Sequence, residues 1–115
     1  MTNDRELLEA AAKAAGIKLA DEIDSHIPSG GLWIVSKSGR DAVWDPLRDD
    51  GDALRLAVKL RLRIDIDDEA GTVFVSRPWN ADAEAEEALF GDSYAMVRRA
   101  IVRAAAALPW TTPTP

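Results

Sequence analysis

Residues 61–67 read Arg-Leu-Arg-Ile-Asp-Ile-Asp, a strict alternation of charged and aliphatic side chains, and this stretch constrains the fold more tightly than any other in the chain. A period of two puts Leu62, Ile64 and Ile66 on one face of a strand and Arg61, Arg63, Asp65 and Asp67 on the other. The next four residues, Asp68-Glu69-Ala70-Gly71, have turn chemistry, and Thr72-Val73-Phe74-Val75-Ser76 supplies a β-branched and aromatic second strand. Together they predict a hairpin with one wet face and one dry face, and the dry face needs a cover.

Three helical segments are available to cover it. Asn3 followed by Glu6 makes a capping-box-like start and Gly16 a stop, so residues 4–15 read as a helix with Leu7, Leu8, Ala11, Ala12 and Ala15 along one face. Asp49 with Asp52 caps a second helix over about residues 51–60, with Leu54, Ala57, Val58 and Leu60 as its expected buried side. Asp92 or Ser93 opens a third, along which Tyr94, Val97, Ile101, Ala104 and Leu108 recur at helical spacing, with Arg98, Arg99 and Arg103 on the opposite side.

The remaining segments are shorter. Residues 20–31, holding Pro28 and Ser29-Gly30-Gly31, read as a loop. Residues 32–36 suit a strand that buries Trp33, and residues 41–44 a strand pairing back on it, with Trp44 closing one end of the core. Residues 77–92, rich in Pro, Ala and acids, read as a mobile surface segment with at most one helical turn near 84–89. The expected class is α+β: helices packed on a small antiparallel or mixed sheet of three or four strands, an α-β-α sandwich. One domain spans residues 1–108, and the Pro- and Thr-rich residues 109–115 form a disordered tail.

Composition narrows the function classes. A chain of 115 residues, 47% hydrophobic, buries about 65% of its unfolded surface, enough for one core without cross-links. With no cysteine, disulfide scaffolds, thiolate nucleophiles and cysteine-ligated metals are excluded. Twenty acidic against 14 basic residues give a net charge of -6, which repels the phosphate backbone and argues against nucleic acid as a partner. The acidic N-terminal residues do not resemble a secretory signal, and no apolar run is long enough to span a bilayer, so a cytoplasmic protein is expected.

Catalytic templates are missing. There is no Gly-Lys-Ser/Thr phosphate loop, no His-Glu-x-x-His, no Gly-x-Ser-x-Gly and no dinucleotide-binding glycine pattern, so no cofactor is expected. The one histidine, His26, lies in a loop beside Asp24, Ser25 and Ser29, and sequence neighbours rarely adopt the geometry of a catalytic triad. The dense acids Asp45, Asp49, Asp50 and Asp52 are the candidate ligands for a divalent cation, because hard cations take several carboxylate oxygens. Their spacing does not match an EF-hand loop, and helix capping explains the same residues.

Surface recognition has better candidates. Interfaces favour Trp, Tyr and Arg, so Trp79, in polar company after Pro78, together with Tyr94, Arg98, Arg99 and Arg103, forms the expected protein-binding set. Those arginines suit an acidic partner.

Residues 44–60, Trp-Asp-Pro-Leu-Arg-Asp-Asp-Gly-Asp-Ala-Leu-Arg-Leu-Ala-Val-Lys-Leu, resemble the Trp-Asn-Pro-Leu, acidic, Gly-Asp-Ala-Leu-x-Leu-Ala segment of the phage ABA-sandwich domain family. Residues 94–105, from Tyr94 to Ala105, are similar to the last helix of that family, and the resemblance spans roughly residues 33–107. It implies a bacteriophage or prophage origin and a sandwich of helices on a sheet; it implies no activity and carries over no catalytic residue. Asp45 stands where the family often has Asn. The expectation is a small, acidic, non-enzymatic protein of the bacterial cytoplasm that binds a host or phage protein, or itself. The alternative is a divalent-metal-dependent or small-molecule-binding protein using Asp45, Asp49, Asp50 and Asp52.

Overall fold

The computed structural model describes residues 3–20, 30–36, 38–77 and 80–108. Helix α1 (Asp4–Ala15) begins where the Asn3 side chain accepts the Glu6 N–H at 2.8 Å and ends at Gly16, whose φ of +70° turns its N–H onto the Ala12 and Lys13 carbonyls. Its inner face is Leu8, Ala11, Ala12 and Ala15, as the spacing predicts.

Strands β1 (Leu32–Val35) and β2 (Asp41–Trp44) form an antiparallel hairpin, and residues 18–20 bond to the other edge of β1 through Ala20 N–H to Trp33 C=O and Val35 N–H to Lys18 C=O, both 2.9 Å. Leu32 lies opposite Trp44 and both are buried, so Trp44 closes the core as expected. Trp33 does not enter the core. It lies opposite Val43 on the other face and is 37% exposed, because a period of two that turns Leu32 inward must turn its neighbour outward.

Helix α2 (Asp50–Leu60) is capped by Asp49, whose carboxylate accepts the Asp52 N–H at 2.8 Å. The buried stripe is Ala53, Leu56, Ala57 and Leu60. This corrects the sequence expectation: Ala57 and Leu60 face inward, whereas Leu54 and Val58 are 60% and 63% exposed. Helix α2 itself packs against α1 and the last helix of the chain. At the C-cap, Arg61 takes φ +58° and redirects the chain into a strand.

Strands β3 (Arg63–Asp67), β4 (Thr72–Arg77) and β5 (Asn80–Ala88) make a three-stranded antiparallel sheet in the order β3-β4-β5. The expected hairpin is present, with Ile64 opposite Val75 and Ile66 opposite Val73. The third strand corrects the mobile-segment reading of residues 77–92. Ala and Glu are weak strand formers, yet Glu84, Ala85 and Glu86 alternate exposed, buried, exposed beside the buried Val75. A register shift between Ser76 and Arg77 marks where pairing becomes irregular.

Helix α3 (Ser93–Ala106), capped by Asp92 accepting the Ala95 N–H at 3.2 Å, packs on β4 and β5 and also against α1 and α2. Ala100, Ile101, Val102, Ala104 and Ala105 are buried, so closely packed alanines let four elements approach one helix. The class is α+β, in two small antiparallel sheets of two and three strands instead of one. One core joins Leu8, Leu32, Trp44, Leu56, Val73, Val75 and Val102. No helix among the described residues is long and apolar enough to cross a membrane.

Candidate functional site

The acidic cluster between β2 and α2 is occupied by its own chain. Asp45 is nearly buried, its carbonyl accepts the Arg48 and Asp49 N–H groups at 3.1 and 2.8 Å, and its own N–H donates to the Asp52 carboxylate at 2.9 Å. The other Asp52 oxygen takes the Arg55 guanidinium at 2.7 Å, a bond that, with the charges of Asp52 and Asp49, raises the Arg55 pKa above its ordinary value against the opposing effect of burial. Asp45 faces Arg48 at 3.3 Å, Asp49 caps the helix, and Asp50 meets Arg98 at 2.6 Å. Gly31, with φ +91°, lies under this corner, and a Cβ there would come within 3.0 Å of both the Asp45 Cβ and the Trp44 carbonyl. Among the described residues no group of three or more His, Asp or Glu side chains converges as metal coordination needs. The four carboxylates instead serve backbone N–H groups and arginines.

The arginines of α3 are likewise engaged within the molecule, and with three different elements. Arg98 donates from Nε to the Leu47 carbonyl at 2.9 Å and from Nη1 to Asp50. Arg99 reaches Asp4, at the start of α1, at 3.2 Å. Arg103 donates to the Glu86 carbonyl at 3.0 Å and pairs with the Glu87 carboxylate on β5. These three side chains therefore tie α3 to α2, α1 and the sheet, and they do not make a single basic patch with Tyr94.

Tyr94 marks a different surface. It is 73% exposed in the first turn of α3, at a groove of about 420 Å³ lined by Ala53 and Leu54 of α2, Val97 and Ile101 of α3, and Ile66 of β3. Among the described residues its polar lining is Asp50, Ser93, Arg98 and the Tyr94 hydroxyl, and Asp50 and Arg98 already pair with each other. Ile66 belongs to the dry row of the sheet, but α3 packs on β4 and β5, so Ile66 at the far strand is left 55% exposed. Leu54 stands above it on the second apolar stripe of α2. That second stripe was the sequence signal for the groove: residues 53–60 hold more aliphatic positions than one buried face accommodates.

Trp79, His26 with Asp24, Ser25 and Ser29, Trp110 and the tail fall outside the described residues. No family model matches the chain, and neither the curated proteins nor the solved structures give a match.

Proposed function

We propose that this chain is a small non-enzymatic protein-binding module whose contact surface is the groove between α2, α3 and β3. The reading rests on one observation: Leu54, Ile66 and Tyr94, each more than half exposed, line one largely apolar groove. Large aliphatic and aromatic side chains gathered this way in a soluble protein mark a binding surface, whereas singly scattered ones carry no such meaning. The resemblance of residues 44–60 and 94–105 to phage ABA-sandwich domains supports a phage or prophage origin and action in the bacterial cytoplasm. The contact surface thus moves from the expected arginine set to the apolar groove, with Tyr94 kept. An acidic protein with its α3 arginines neutralised suits a partner that is apolar at the centre and not strongly acidic at the rim.

The test compares tagged wild-type protein with Leu54→Ser and Tyr94→Ala variants as baits in a bacterial lysate, with thermal melts alongside. A protein retained by the wild type and lost by both variants, at unchanged melting temperature, supports the groove. Equal retention by all three assigns binding to another surface.

A further inference from the structure

Strand β3 is an edge of the three-stranded sheet, pairing only with β4, and among the described residues its outer side meets no backbone partner. Gly71 donates its N–H to the Asp67 carbonyl at 2.8 Å, so Asp67 is turned toward β4. By antiparallel alternation, the N–H and C=O groups of Ile64 and Ile66 then face the open edge. Such an edge is a template for another strand, and proteins usually blunt it with charged side chains, a proline or a bulge. This edge has no proline or bulge in Arg63–Asp67, and its charges are of both signs, Arg63 against Asp65 and Asp67, so a strand of complementary charge can pair with it.

We infer that β3 pairs antiparallel with β3 of a second copy, about a two-fold axis through Ile64, to make a six-stranded sheet. The register follows from the sequence. With Ile64 opposite its own copy, Arg63 faces Asp65 and Leu62 faces Ile66, each contact occurring twice by symmetry. Shifting the pairing so that Asp65 lies on the axis sets that carboxylate against itself; shifting the other way sets Arg63 against Arg63. Among these three pairings only the Ile64-centred one has no like charges opposed, and it keeps charged residues on the wet face and aliphatic ones on the dry face.

A second observation points to the same occupant. Helix α2 is joined to the start of β3 through Arg61 and Leu62, and its Leu54 shares the groove with Ile66 near the end of β3. The exposed Leu54 therefore stands beside the end of this strand. A two-fold axis perpendicular to the sheet places both α2 helices on the same side of it and lays the partner's Leu62 beside Ile66 to extend the groove floor. This pairing goes beyond the groove reading and stands without it.

The experiment is sedimentation equilibrium from micromolar to millimolar protein on wild type, Arg63→Asp, Asp65→Arg and the double swap, all at exposed positions. The wild type should dimerise, each single variant should weaken the association about tenfold, and the double swap should restore it, because it re-forms the same two pairs with signs exchanged. A wild type that stays monomeric throughout overturns the pairing and leaves the groove reading intact. A dimer insensitive to either single variant, or one that the double swap fails to restore, also overturns it, since its interface lies elsewhere or in another register.

Discussion

The corner formed by residues 44–52 and the open flank formed by α2 and β3 differ in how their groups are satisfied. At the corner every Asp side chain holds a backbone N–H or a guanidinium, and Pro46 and Trp44 are packed beneath. On the flank, four aliphatic side chains of α2 turn inward, two turn outward to solvent, and the β3 edge has no partner strand among the described residues. Polar richness here signals stability, and unsatisfied surface signals contact. A reading that ranks residues by chemical reactivity looks for function at the carboxylates; the reading we propose looks for it at Leu54, Ile66 and Tyr94.

Substitutions can break that contrast, starting with the inner face of α2. Leu56→Ala should cost about 3 kcal/mol by leaving a cavity in the core, read as a lower urea midpoint at unchanged slope. Asp52→Ala should cost about 2 kcal/mol, because it strands the Asp45 N–H and releases Arg55, with the same denaturation experiment as the check. Removing only the cap, in Asp49→Ala, should cost about 1 kcal/mol, and circular dichroism melts would register it. Leu54→Ala should change stability by less than about 0.5 kcal/mol while weakening complex formation. If Leu54→Ala proved as destabilising as Leu56→Ala, the second stripe of α2 would be a packing face and the contrast would collapse.

Much of the fold was legible in the sequence because local physics and tertiary context agree. Asn3, Asp49 and Asp92 cap the three helices as their residue types predict, and the alternation of residues 61–67 sets the face and partner of β3. Where the two disagree, the reading fails for identifiable reasons. Strand β5 is built from Ala and acidic residues whose intrinsic preference opposes extended structure, and pairing with β4 overrides it. Trp33 is the bulkiest residue of β1, yet its parity, and not its hydrophobicity, places it outside. In α2 the stripes Ala53/Leu56/Ala57/Leu60 and Leu54/Val58 differ in phase by about one residue, and only the close approach of α3 selects the one with small side chains. The engagement of Arg98, Arg99 and Arg103 depends on partners 48, 95 and 16 positions away, a distance that no local pattern reports.

The most direct test of the open flank as a contact surface is amide hydrogen exchange at Ile64 and Ile66, followed by NMR over a range of protein concentrations. Paired edges protect these two amides as concentration rises, while the amides of Val73 and Val75 in the central strand stay slow throughout. Fast exchange at Ile64 and Ile66 that does not change with concentration would contradict the account and leave β3 a bare edge.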